Sequence, residues 1–360
     1  MKWIKIPLCV TLLAGCSLFT PKDDMTSSIQ MYPTFDSAYP TEQFIRTFLL
    51  SEQGLIRTDL LKRRNEYLSE SLGLYMLFLV NEGRSDEFAA QVKVLRHYFL
   101  HESGMVSWEL KGNTMSIEAN PTNAWIDDAR ICRALIRAAE TFSTPSYALL
   151  AEEIQSALDS YSFVDGLPVD FTDLNTKEVG SRVTLSYLDY DMLNSLSNER
   201  VVAAKRLLEN APTDGPFYAK YYDTQHKTYH FDNTINLIDQ LYVALRYEQF
   251  GLNTTEFFTF LVSELQNGIV YGRYDRRTEQ PVVQYESQAV YALVIFYLME
   301  RNEMTLATET LEHLYELSVQ DDASPYYGGY IDVITKETHS FDNLLPLLAE
   351  RRIAHGDIAP

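Results

Sequence analysis

The sequence predicts an all-α protein folded as an (α/α)6 toroid, six helical hairpins in two concentric rings, with short β-hairpins at the N-terminal end of the inner helices. Three observations carry this. A 3.6-residue apolar period dominates past residue 40. The periodic segments alternate in character: one kind is amphipathic, as in Asp86-Glu87-Phe88-Ala89-Ala90-Gln91-Val92, and the next is apolar on nearly all sides, as in Leu72 to Val80 or Gln288 to Met299. Amphipathic helices cover a core and all-apolar ones lie inside it. Third, the chain repeats itself. Pro216-Phe217-Tyr218 leads through Tyr222-Asp223 and Lys227-Thr228 to His230-Phe231-Asp232-Asn233. Pro325-Tyr326-Tyr327 leads in the same way through Ile331-Asp332 and Lys336-Glu337-Thr338 to His339-Ser340-Phe341-Asp342-Asn343. A weaker copy runs from Tyr271-Gly272-Arg273-Tyr274-Asp275 through Thr278 to Tyr285-Glu286-Ser287.

Taken in order, helices are expected at 42–51, 67–82, 85–101, 124–141, 146–162, 186–196, 198–210, 231–249, 254–266, 285–301, 303–319 and 341–354. Each repeat reads as a β-hairpin feeding an inner helix. The inner starts fall at Glu70, Asp127, Tyr187, Asp232, Glu286 and Asp342, spaced by 57, 60, 45, 54 and 56 residues.

Ahead of these helices, Met1-Lys2-Trp3-Ile4-Lys5, an apolar run from Ile6 to Leu13 and Ala14-Gly15-Cys16 have the pattern of a secretory signal. Leu13-Ala14-Gly15-Cys16 resembles a bacterial lipobox, so residues 1–15 are expected to be removed and Cys16 lipidated, anchoring the protein to the outer face of the cell membrane. Residues 16–40 read as a tether and 41–360 as the folded domain. Of three cysteines only Cys132 then remains in that domain, so no disulfide is expected.

With 360 residues, 46% apolar, the chain is long enough for a large core. It carries 50 acidic and 30 basic residues, a net charge of −20. That balance argues against nucleic acid and against electrostatic docking on anionic lipid. The 24 Tyr, 18 Phe and 3 Trp suit a groove that stacks rings, although large helical cores also consume aromatics. His97 and His101 are spaced i, i+4 without a third ligand, no phosphate loop or Ser-His-Asp order is legible, and a solvated loop is preferred to Ca²⁺ binding at Asp321-Asp322. No metal and no cofactor is expected, and a monomer is the expected state.

In a toroid all inner helices run the same way, so acids at their starts meet around one opening. Capping of free backbone N–H groups explains any one of them. Several together repel, which keeps one protonated while another is ionised. Glycosidic-bond cleavage requires such a pair.

Ser69-Glu70-Ser71-Leu72-Gly73-Leu74-Tyr75-Met76 resembles the S-E-G-x-G-Y-G-M signature of glycoside hydrolase family 8, an (α/α)6 family of inverting enzymes. Gly104-Met105-Val106-Ser107-Trp108 resembles its D-G-L-x-W hairpin, and Asp127-Asp128-Ala129-Arg130 through Leu135 its T-D-G-D-L-x-I-A-x-A-L helix. Leu185-Ser186-Tyr187-Leu188 resembles its P-S-Y-x helix start, and Phe231-Asp232-Asn233 stands where the family has Y-D-A-x-R, with Ile235 in place of the Arg. The resemblance spans most of residues 45–350, as a distant lipoprotein branch. It implies Glu70 as general acid, Asp232 as general base, and Asp127 or Asp128 as the acid that supports the distorted sugar. Tyr75, Trp108, Trp125 and Tyr187 are open to either sugar stacking or a core role; Tyr285 and Glu286 are expected at the cleft, Glu286 as a reserve carboxylate. The implied activity is inverting, endo-acting hydrolysis of a β-linked extracellular polysaccharide, an exopolysaccharide or biofilm matrix glycan. The competing readings are a non-catalytic glycan-binding lipoprotein, then a polysaccharide lyase or a different toroid hydrolase, with a protein-interaction scaffold last.

Overall fold

A computed structural model describes residues 39–113 and 116–355. The signal segment, Cys16 and nearly all of the tether lie outside the described residues. Twelve α-helices are found among those described: α1 (Pro40–Phe44), α2 (Ser69–Asn81), α3 (Ser85–Val94), α4 (Trp125–Thr141), α5 (Pro145–Tyr161), α6 (Tyr190–Leu196), α7 (Asn198–Glu209), α8 (Leu237–Gln249), α9 (Thr255–Asn267), α10 (Gln288–Glu300), α11 (Met304–Glu316) and α12 (Phe341–His355). A π-helical turn prolongs α1 over Ile45–Leu49 and α3 over Leu95–Phe99.

The even-numbered helices form the inner ring. Packing runs from α2 to α4, α4 to α6, the turn before α6 to α8, α8 to α10, α10 to α12 and α12 back to α2, which closes it. The all-apolar pattern is the cause: every residue from Ser71 to Val80 of α2 and from Ala289 to Met299 of α10 is buried. Odd-numbered helices cover the outside with one apolar stripe each, as α9 does through Phe257 and Leu261. The (α/α)6 toroid is thereby established.

Inner helices turn back to the outer ring through left-handed residues: Gly83, Ser143, Gly251 and Asn302 have φ of 68°, 53°, 69° and 63°. The next amides, Arg84, Thr144, Leu252 and Glu303, donate to Leu79, Ala139, Tyr247 and Leu298, satisfying carbonyls that a helix end leaves free. At the opposite end lie the short strands. Glu66–Leu68 pairs with Glu109–Asn113, Arg182–Thr184 with Tyr221–Asp223, and Thr234–Asn236 with Arg273–Asp275. Of the expected hairpins, the first pairs Tyr221–Asp223 with Thr228–His230 ahead of α8, whereas the copy over 325–340 forms turns without a strand. Their tips share one device, in which Asp173, Asp223, Asp275 and Asp332 each accept from the amides two and three residues on. The copy at Asp173 escapes the sequence comparison because its flanks differ.

Three inner starts differ from expectation. Helix α8 begins at Leu237, not 231, because residues 234–236 are drawn into a strand and the Asn236 side chain accepts from the Ile238 amide at 3.1 Å. Asp232 therefore precedes the helix by five residues. Helix α10 begins at Gln288, which leaves Tyr285 and Glu286 outside it. Tyr187 ends a 3₁₀ turn (Leu185–Tyr187), and Asp189 caps α6 by accepting from the Met192 amide at 2.9 Å.

Asp189 also carries a buried charge network. Arg133 of α4 and Arg246 of α8 each approach its Oδ2 at 3.4 Å. Burial pushes the carboxyl up, but the two guanidiniums overcome it and hold Asp189 below the usual range. Removing one member of such a set strands the others in low dielectric. Asp189→Asn is expected to cost about 3–5 kcal/mol in urea unfolding; a loss below about 1 kcal/mol would show that the arginines find other partners.

Candidate active site

A cavity of about 230 Å³ opens at the N-terminal end of the inner ring. Helix α2 contributes Glu70, α4 contributes Asp127 and Arg130, and α8 contributes Asp239 and Tyr242. Tyr187 comes from the turn before α6, Trp108 from the loop before the strand Glu109–Asn113 and Phe341 from α12. Helical spacing explains two of these pairs: residues i and i+3 share a face, so Asp127 brings Arg130 with it and Asp239 brings Tyr242.

Glu70 lies in the first turn of α2. Burial, then the neighbouring Asp127 and Asp342, push its carboxyl up to about 7, against the pull of Arg130 and Arg63. A helix N-terminus favours the ionised form, so desolvation and like charge win here. Asp342, in the first turn of α12, is raised to about 6 by burial.

Asp127 reaches across from α4 to the start of α2. It accepts from Ser69 Oγ at 2.8 Å and from the Glu70 backbone N–H, and Arg130 Nη1 meets its Oδ1 at 3.0 Å. Burial raises it, with Arg130 and Ser69 opposing. Asp127 thus caps the helix that bears Glu70 while facing the same cavity. Across the cavity, Asp239 pairs with Lys220 at 3.4 Å, and Lys220 also holds Asp232 at 2.6 Å. Burial raises the Asp239 carboxyl and Lys220 opposes.

The other expected residues divide. Trp108 and Tyr187 line the cavity. Tyr75 and Trp125 are in the core instead: the Tyr75 ring stacks on Phe78 at 6.0 Å, and Trp125 Nε1 donates to the Tyr187 carbonyl at 3.0 Å, holding that residue at the wall. Asp128 is fully buried and off the lining, with Asn123 Nδ2 at 3.0 Å and the Val106 amide at 3.5 Å; burial drives its carboxyl well above the usual range. Asp232 is off the lining as well, its side chain 43% exposed.

Tyr285 is 52% exposed. Glu286 bridges to Tyr271 and accepts from the Tyr291 hydroxyl at 2.5 Å, with His313 of the outer helix α11 at 2.7 Å. It ties a loop to the outer ring, away from the cavity lining. Glu286→Gln is expected to cost about 1–2 kcal/mol of stability, read by thermal unfolding, and to leave any glycosidase rate within about twofold.

Sequence reading missed Arg130, Asp239 and Tyr242. The signal was present: each stands one helical turn from a carboxylate or is itself a first-turn carboxylate. Asp239 was masked by taking the preceding strand for helix.

No family model matches the chain. Over 359 residues it is 35% identical to the Bacillus subtilis (strain 168) protein named "Putative lipoprotein YdaJ", covering 98% of this chain and 96% of that one. The chain belongs to the YdaJ family.

Among solved structures, PssZ from Listeria monocytogenes is 29% identical with a TM-score of 0.76, covering 89% of this YdaJ-family chain and 97% of PssZ. A protein described as a novel alpha-amylase from Clostridium perfringens is 24% identical with a TM-score of 0.79, over 87% and 96% of the two chains. Family 8 glycoside hydrolases, among them endoglucanase Cel10 from Klebsiella pneumoniae at 14% identity and TM-score 0.62, share the fold. The YdaJ-family chain thus shares the (α/α)6 fold of family 8 glycoside hydrolases. Among the described residues no helix is long and apolar enough to cross a membrane.

Proposed function

We propose that this YdaJ-family protein is an inverting glycoside hydrolase acting on a β-linked extracellular polysaccharide, exported and held to the outer face of the cell membrane through lipid on Cys16. The observation that carries this is a carboxylate kept protonated near neutral pH, Glu70, sharing one cavity with a second carboxylate, Asp239, on a facing helix. Glu70 donates its proton to the glycosidic oxygen as the bond lengthens. Asp239, whose ionised form Lys220 supports against burial, takes a proton from the water that attacks the opposite face of the sugar. Asp239 replaces Asp232 as general base in this proposal, because Asp232 is off the lining and engages Lys220 from outside. Inversion requires the two carboxyls to stand about 6.5–9.5 Å apart, with the water between them.

Asp127 holds Glu70 in place through the start of α2 and offers its remaining lone pairs to a sugar hydroxyl. Arg130 of α4 supplies a positive charge beside Asp127 and Glu70, while Ile235 stands where family 8 has its Arg. Trp108 and Tyr187 give ring faces on which sugars stack. The β-linkage is supported by the structural neighbours described as endo-beta-1,4-glucanases and xylanases, and the YdaJ name supports the lipid anchor.

Reducing-end release from β-1,4-glucan, xylan, chitosan, a β-1,6-glucosamine polymer and starch tests the reading. Starch belongs in the panel because one neighbour is described as an alpha-amylase. Hydrolysis of a β-linked polymer, with inverted anomeric configuration in the first product seen by NMR, is the expected result. Retained configuration, an ultraviolet-absorbing unsaturated product, or no release from any polymer would overturn it.

A further inference from the structure

Beside the catalytic cavity, the loop that enters the strand Glu66–Leu68 concentrates positive charge in an acidic protein. Arg57, Lys62, Arg63 and Arg64 fall within eight positions of a chain whose net charge is −20. The loop's own acids are engaged elsewhere. Asp59 accepts from the backbone amides of Leu61 and Arg63 at 2.8 Å, and Glu66 takes Nε of Arg63 at 2.7 Å. Among the described residues, Arg57, Lys62 and Arg64 have no carboxylate partner.

Arg57 and Arg64, with Leu60 and Asn65, line an open hollow of about 320 Å³. Backbone pairing of Arg57 with Tyr67 and donation from Arg57 Nη1 to the Arg64 carbonyl at 3.1 Å hold the first guanidinium at the edge of the hollow. Asn65 borders this hollow and Leu68 borders the catalytic cavity. At roughly 3.3 Å per strand residue the two lie about 10 Å apart, a gap that a few sugar units bridge. The acidic surface repels anions in general, but beyond a screening length of about 8 Å at physiological salt that repulsion fades. What an anion meets locally is two guanidiniums without a carboxylate partner, whose planar N–H forks match carboxylate and phosphate oxygens.

We propose that this hollow is an anion subsite that receives a carboxylate or phosphate substituent on the glycan, removed from the bond that is cut. The substrate is then an anionic or partly anionic polysaccharide, where overall charge alone would favour a neutral or amino-sugar polymer. That the anion arrives on a glycan rests on the glycosidase reading; the anion chemistry of the hollow does not.

Isothermal titration of the full-length chain with cellotriose, its uronic-acid counterpart, its 6-phosphate and inorganic phosphate tests this. A charged trisaccharide is expected to bind about tenfold tighter than cellotriose. The Arg57→Gln/Arg64→Gln variant should erase that preference, as should high salt, with cellotriose affinity and thermal unfolding unchanged. Which charged arm binds tells carboxylate from phosphate. Equal binding of neutral and charged sugars, a preference that survives the double substitution, or no binding of any trisaccharide overturns the proposal. So does inorganic phosphate binding as tightly as the charged sugars, which would mark a free-anion site. A preference found in a protein that hydrolyses no polymer refutes the catalytic reading alone; hydrolysis without the preference refutes the subsite alone.

Discussion

Glu70→Gln is expected to lower kcat by about 10³-fold and at the same time to make the protein more stable at pH 8. The rate loss follows from removing the proton donor, a contribution of roughly 10²–10⁴. The stability gain follows from linkage. Glu70 has its carboxyl at about 7 in the folded protein, against the ordinary 4.5 when unfolded. Between those values the folded state binds more protons than the unfolded one, so stability falls as pH rises from 4.5 to 7, and the loss is complete above about 7. Gln carries no charge and escapes that loss, by at most about 3 kcal/mol at pH 8. Below about pH 4.5 the two proteins should unfold alike. Denaturant unfolding at pH 4 and pH 8, beside the rate on whichever polymer is cleaved, separates the effects. A variant with near-normal turnover removes Glu70 from the chemistry; one no more stable than the parent at pH 8 removes the desolvated carboxyl on which its role depends. The parent enzyme should lose activity above about pH 7 as Glu70 ionises, and again at acid pH as Asp239 is protonated.

Asp239→Asn is expected to cost about 10³-fold in kcat, whereas Asp232→Asn should leave it within about threefold. The two residues are seven positions apart and share Lys220. Asp239 lines the cavity that holds Glu70, and Asp232, 43% exposed, does not. The paired comparison is informative because either substitution disturbs Lys220, while one alone removes a carboxylate from the cavity. A large loss at Asp232 with little at Asp239 would return the role of base to the position favoured by the sequence motif. Azide, which can stand in for a missing general base, offers a further reading: rescue of Asp239→Asn identifies a lost base, not a damaged fold.

Asp232 and Asp239 also show how far sequence reading reaches. Phe231-Asp232-Asn233 occurs in a repeat unit matched by Phe341-Asp342-Asn343, and in the second copy the acid does open its inner helix. In the first, residues 234–236 pair with 273–275, and the helix is delayed until Leu237. Glu286 is displaced by the same kind of event, a backbone bridge from Tyr271 that keeps residues 285–287 extended. The strand pairing ahead of α8 joins positions 37 to 41 residues apart and the Tyr271–Glu286 bridge positions 15 apart, so neither leaves a mark in the local helical period. Tyr75 and Trp125 illustrate the other gap. An aromatic near the start of an inner helix can face the cavity or the core, and the angle at which neighbouring helices pack decides between them.

What the chain determines by itself is its architecture and one half of its chemistry. Apolar periodicity, the alternation of half-apolar with wholly apolar helices and the recurring hairpins are local properties, and burial of apolar surface acts on them wherever the chain meets itself. They therefore prescribe two rings, with Glu70, Asp127 and Asp342 in first turns at one end. The tertiary structure alone selects the partner of Glu70 and sets the Asp127–Arg130 pair of α4 beside Glu70 on α2. It also places Arg57 and Arg64 at the rim of an acidic protein. Those relations depend on electrostatics and packing between segments far apart in the chain, where a shift of one helix start changes which carboxylate is dry.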